Sequence, residues 1–112
     1  HYRLNRSMCA QLEPMAYPAG WRLDLVTRVK QRLEVPVIAV GNFREPDAAE
    51  KAIASGRVDF AAIGRGLIAD PAWPQKVAAG AWDTIVTCTR CDEKCFGNLR
   101  KRIPIACTQW RG

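Results

Sequence analysis

Val35-Pro36-Val37-Ile38-Ala39-Val40-Gly41-Asn42 sets the architecture of this chain. Residues 35–40 are a short, continuous apolar run rich in β-branched side chains. A run of that kind predicts a strand buried on both faces, as in parallel sheets. Pro36 sits near the strand start, where a missing N–H is tolerated, and Gly41-Asn42-Phe43 ends the strand. Asp59-Phe60-Ala61-Ala62-Ile63 repeats the pattern and runs into Gly64-Arg65-Gly66.

Helical periodicity fills the intervals. Upstream, Trp21, Leu25, Val26, Val29 and Leu33 recur at helical spacing among charged residues, predicting a helix over 21–33. Between the strands, a helix is expected from Pro46 to Ser55. Pro46 suits its first turn, Asp47 and Glu50 suit its positive end, and Ala48, Ala49, Ala52 and Ile53 form its inner face. Gly56 is its expected stop. After the second strand, Asp70 is expected to cap a helix opening on Pro71, with Trp73, Val77 and Ala78 packing inward and Gly80 ending it. Residues 1–20, broken by Pro14, Pro18 and Gly20, predict a loop with at most one helical turn.

The order helix, strand, helix, strand, helix predicts an α/β fold with parallel strands. Two parallel strands expose unpaired edges, and a closed (β/α)₈ barrel typically takes about 250 residues. The 112 residues here therefore need either the remainder of a barrel or other copies of the chain.

Both strands end in glycine-containing turns. Glycine lets a backbone approach a ligand closely or adopt positive φ. Backbone N–H groups at the top of barrel strands can cradle a phosphate, and Arg65 adds a charged contact. Tight turns alone would also explain single glycines. Two such turns in consecutive units, one carrying an arginine, favour a phosphate site.

Four of the five cysteines lie close together: Cys88, Cys91, Cys95 and Cys107, spaced C-x2-C-x3-C-x11-C. Four thiolates suit tetrahedral zinc or a [4Fe–4S] cluster. Three close cysteines and one distant one favour the cluster over two symmetric zinc-ribbon pairs. Arg90, Lys94 and Arg100-Lys101-Arg102 surround them, either biasing a cluster towards its reduced form or keeping the surface soluble. Cys9 reads as an ordinary free thiol, and His1 receives no role.

Composition is that of a soluble globular protein, 48% hydrophobic and 25% charged. No apolar run reaches membrane-spanning length, and the first residues carry no apolar signal core. A cytoplasmic protein without a membrane partner is expected. The formal charge of +6 is spread along the chain. It permits a zinc-stabilised basic module that binds nucleic acid, but the aromatics do not interleave with the basic residues as a recognition surface requires. No nucleic-acid partner is expected.

Pro36–Asn42, Pro46, Ala49-Glu50, Asp59, Ala62-Ile63-Gly64-Arg65, Ala69-Asp70-Pro71 and Trp73 together resemble the last two βα units of the Old Yellow Enzyme family of NAD(P)H:flavin oxidoreductases. The resemblance implies an FMN-binding (β/α)₈ TIM barrel in which Gly41, Asn42, Gly64 and Arg65 hold the FMN phosphate. The cysteine pattern resembles the branch that contains 2,4-dienoyl-CoA reductases and trimethylamine dehydrogenase-like enzymes. That likeness implies a [4Fe–4S] cluster on Cys88, Cys91, Cys95 and Cys107, and FAD and NAD(P)H sites in a region not present here. It divides the chain into a partial FMN barrel, residues 1–82, and an iron–sulfur segment, residues 83–112. The implied activity is reduction of activated C=C bonds in a small-molecule substrate. No catalytic acid or base is assigned, and a non-catalytic fragment of such an enzyme is the alternative.

Overall fold

The computed structural model describes residues 11–110. Cys9 and His1 lie outside them. Residues 11 and 12 are helical, and 13–20 form turns. Helix α1 spans Leu23–Lys30, strand β1 Ile38–Ala39, helix α2 Pro46–Ala54 and strand β2 Phe60–Ala61. Short helices α3 (Arg65–Ala69) and α4 (Trp73–Ala78), a 3₁₀ turn at Trp82–Thr84 and helix α5 (Phe96–Arg100) complete the order.

The strands pair in parallel, Ile38 opposite Phe60 and Ala39 opposite Ala61, with α2 as the crossover. One layer of core lies beneath them. Ala39, Phe43, Ala49, Ala52 and Val58 are buried together, with Leu23, Val26, Ala61 and Ile63 packed around them. Alanines on α2 let that helix sit close to the sheet. Ile53, expected on the same face, is exposed.

The strands depart from expectation in burial. Ala39 is 1% exposed, but its neighbours Ile38 and Val40 are 61% and 52% exposed, and Phe60 is 56% exposed. The sheet is covered on its helix side only. Strand residues alternate between faces, so the apolar run Val37–Val40 presents every second side chain to an uncovered surface. Helix α1 is also shorter than expected, with no buried residue. A bidentate contact from Lys30 Nζ to the Asp59 carboxylate (2.7 and 2.6 Å) ties its end to β2. The same carboxylate accepts the Val37 N–H at 2.7 Å, fixing the entry to β1. The Lys30 contact, ahead of the Val37 bond, holds the Asp59 carboxyl below its usual range.

Two expectations about the second βα unit change. Gly64-Arg65-Gly66 is not a bare turn but the opening of α3, with Gly64 at the N-cap. Asp70 does not cap α4 from the preceding position, because Ala72 holds the N-cap and Pro74, not Pro71, occupies the first turn. The Asp70 carboxylate still reaches that end, accepting the Ala72 N–H at 3.1 Å. Trp73 is buried as expected, Val77 is half-buried and Ala78 is exposed. Gly56 and Gly80 follow the ends of α2 and α4 at φ +70° and +71°, the left-handed conformation that stops a helix.

Candidate phosphate and cysteine site

A cavity of about 380 Å³ opens where the two strands end. Asn42, Gly64 and Arg65 line it, together with Cys88, Cys95 and Asp92 from the cysteine segment. Val40, Phe43, Ile68 and Phe96 supply apolar wall. The fold thus brings three of the four expected phosphate residues together, and sets two cysteines beside them.

Gly41 stands apart. It is buried outside the cavity wall, and its carbonyl accepts the Gly20 N–H at 2.7 Å. The left-handed conformation belongs to its neighbour Asn42, at φ +59°. Asn42 Nδ2 donates to the Tyr17 carbonyl at 2.9 Å, which holds that backbone in place. The two glycines flanking Arg65 also differ. A Cβ on Gly64 would meet nothing within 4 Å, leaving room for a ligand against the backbone. A Cβ on Gly66 would stand 2.8 Å from Ile63 Cγ2, so close packing demands glycine there.

Arg65 is engaged on both terminal nitrogens. Nη1 donates to Asp92 Oδ1 at 2.6 Å, and Nη2 to the Glu13 carbonyl at 3.0 Å. Glu13 is 4% exposed, and its carboxylate accepts Trp21 Nε1 at 2.8 Å and lies 3.3 Å from Arg22 Nε. Sequence reasoning missed Glu13, Tyr17 and Asp92. Each acts on a residue far away in the chain, and no local spacing marks such contacts.

All four expected cysteines line a second, smaller cavity, with Arg65, Asp92 and Thr108 in its wall. None is in a disulfide. Cys88 Sγ accepts the Arg90 N–H and Cys107 Sγ the Gln109 N–H, each at 3.4 Å. Cys91 Sγ lies 3.3 Å from Thr108 Oγ1. Burial pushes the Cys91 thiol up, but hydrogen bonds from Thr108, the Glu93 backbone and Thr89 outweigh it and hold the thiol below its usual value. Burial prevails at Cys95, whose thiol is pushed up. Among the described residues, no three Cys, His, Asp or Glu side chains converge closely enough to hold a single ion. None of the described helices is long and apolar enough to cross a membrane.

The segment from Ile85 reaches this site through Asp70. Its Oδ2 accepts the Val86 N–H at 2.9 Å and Lys76 Nζ at 2.6 Å, and Lys76 also donates to the Thr84 carbonyl at 2.8 Å. Lys76, then the Val86 bond, lowers the Asp70 carboxyl from its usual value.

Comparison with known proteins places this geometry. The family described as NADH:flavin oxidoreductase / NADH oxidase matches residues 11–84. An NADH oxidase of Thermoanaerobacter brockii is 47% identical over 104 residues, covering 88% of this chain and 16% of that protein. A cinnamate reductase of Clostridium sporogenes is 33% identical over 94 residues, 84% of this chain and 14% of that protein. The solved complex of 2-naphthoyl-CoA reductase with 2-naphthoyl-CoA superposes with a TM-score of 0.83 at 34% identity, over 87% of this chain and 15% of that one. The chain thus spans about a sixth of the relatives' length, and its parallel strands and crossover helix are a piece of their barrel. By that match, this chain belongs to the NADH:flavin oxidoreductase / NADH oxidase family.

Proposed function

We propose that this chain supplies the end of an FMN-binding (β/α)₈ barrel, its last two βα units, followed by a four-cysteine segment that carries a [4Fe–4S] cluster. The whole protein would use NAD(P)H to reduce an activated C=C bond in a small molecule, as 2,4-dienoyl-CoA reductases do. The observation that carries this reading is the shared cavity, in which Asn42, Gly64 and Arg65 face Cys88 and Cys95.

The residues fit the groups they are proposed to hold. Open space at Gly64 admits a phosphate against the backbone. Arg65, braced by Asp92 and Glu13, directs charge to the same place. Gly41 contributes from behind, holding Asn42 through the Gly20 contact. For the cysteines, tetrahedral zinc with bonds of ~2.3 Å needs sulfurs only ~3.8 Å apart. A cubane binds each thiolate to a different iron and needs a wider cage. Four cysteines around one cavity, three close in sequence and one distant, support the wider cage. FMN supplies hydride chemistry, the cluster one-electron transfer, and FAD with NAD(P)H would lie in another region. This chain's own residues bind, orient and exclude water, and the apolar wall of Val40, Phe43 and Phe96 serves the last task. Residues 1–82 form the barrel part and 83–112 the cluster part in this reading.

Anaerobic protein should contain iron and acid-labile sulfide in a four-to-four ratio. Cys91→Ser should abolish the iron while leaving FMN bound. Arg65→Met should weaken FMN at least tenfold, the loss of a charged hydrogen bond, and leave the iron in place. Stoichiometric zinc in place of iron would sink the cluster assignment.

A further inference from the structure

Among the described residues, five non-glycine positions adopt positive φ: Glu13, Asn42, Arg90, Asp92 and Arg102. That backbone region is rarely visited by side-chain-bearing residues and gathers at functional sites. Four of the five take part in two sets of contacts between the cysteine loop and the phosphate residues. Asp92, between Cys91 and Cys95, accepts Arg65 Nη1 at 2.6 Å. Arg90, between Cys88 and Cys91, donates from Nη1 to the Tyr17 carbonyl, the same atom that accepts Asn42 Nδ2 at 2.9 Å. Glu13 accepts Arg65 Nη2 through its own carbonyl.

Two tethers therefore leave the cysteine loop from either side of Cys91, and each ends on the phosphate cradle. One runs from Asp92 directly to Arg65. The other runs from Arg90 through Tyr17 to Asn42. The Asp92 carbonyl also accepts the Gly97 N–H at 2.9 Å, so the first tether continues into α5. The side-chain contacts hold the loop in a backbone conformation it would not keep alone. In return, the loop fixes the direction of Arg65 and Asn42.

We propose that Arg90 and Asp92 are positioning residues that couple the two sites, so that FMN binding and cluster assembly reinforce each other. The coupling rests on the phosphate and cluster assignments proposed above. Whatever holds the cysteines in their bound arrangement orders Asp92 and Arg90, and with them the cradle. Coupling between sites is reciprocal in affinity, so bound FMN must stabilise the cluster by the same factor.

The test is a ratio, measured in the full-length protein: the FMN Kd of the cluster-free form, made as Cys107→Ser, over that of the cluster-loaded form. Fluorescence quenching of free FMN reads both. The expected ratio is about fivefold or more, the lower end of ordinary coupling. Asp92→Asn removes the charge but keeps a residue at ease with positive φ, and should lower the ratio. Arg90→Gly relieves the backbone while deleting the second tether, and should lower the ratio as well. Iron retained at equilibrium with a chelator, with and without FMN, should show the same factor in reverse. A ratio of one in the unaltered protein, or a ratio that survives both substitutions, overturns the coupling. If Arg65→Met leaves FMN affinity unchanged, or Cys91→Ser keeps the cluster, the site assignments fail and the coupling falls with them. Those variants separate the two failures.

Discussion

Arg65 sits between two glycines that look alike in sequence and differ in space. The residue at 66 must be small because Ile63 Cγ2 occupies the place of its Cβ, at 2.8 Å. Isoleucine is branched at Cβ and stiff at χ1, so its Cγ2 methyl cannot move away by an easy rotation. Gly66→Ala should cost about 1–3 kcal/mol, the ordinary price of overpacking, and lower the melting temperature. Gly64 faces open space, so Gly64→Ala should leave the melt unchanged while weakening FMN binding, as followed by flavin fluorescence. The reverse pattern would move the ligand site from Gly64. The sequence marked the glycines and the arginine as a set but could not rank them. Their difference lies in a contact between Gly66 and the Ile63 side chain, just past β2, whose rotamer depends on the packed fold. Asp92 was illegible for a related reason: its partner Arg65 is 27 positions away, and an Asp-Glu pair between lysine and arginine carries no periodicity.

Asp70 organises the junction between α3, α4 and the cysteine segment. One oxygen holds the start of α4 through the Ala72 N–H, and the other holds Lys76 and the Val86 N–H. Asp70 is 5% exposed and accepts all three bonds, so truncation removes them together. Asp70→Ala should destabilise by about 2–3 kcal/mol, the scale of lost hydrogen bonds to a charged group. Thermal or denaturant melts of the two forms measure it. Acid should act through the same group and through Asp59. Both carboxyls are lowered from 3.8 in the folded state. Below 3.8 the unfolded chain binds more protons than the folded one, so stability falls with falling pH. The contribution is fully present above 3.8 and is lost as pH drops through the lower folded values. Melting temperature plotted against pH should bend downward below about pH 4, and Asp70→Asn should flatten that bend. At this scale the sequence was largely readable. Pro46–Ala54, the stops at Gly56 and Gly80 and the sites of both strands follow from local rules. Less readable were the shorter α1, the opening of α3 at Gly64 and the position of Asp70 relative to α4, whose capping bond reaches past Pro71 to Ala72.

The whole molecule shows one finished face and one open one. Ala39, Ala49, Ala52 and Val58 are sealed beneath the sheet, while Ile38, Val40 and Phe60 lie bare on the other side, and Leu25 and Val29 remain exposed on α1. The continuous apolar run at 35–40 predicted burial on both faces, and the second face needs neighbouring strands and barrel interior that these residues do not contain. The apparent error in strand burial is therefore a property of the missing surroundings rather than of the strand. It makes a prediction with opposite signs in two settings. In the 112-residue chain alone, Phe60 drives association, so Phe60→Ser should shift light scattering towards smaller species. In the complete barrel Phe60 would be core, and the same substitution should cost about 3–5 kcal/mol, the range for emptying a large aromatic site. Improved solubility of the short chain together with a destabilised full-length protein would identify the open face as barrel interior. An unchanged melt in the full-length protein would mean that Phe60 faces solvent there too, and would remove this sheet from the barrel wall.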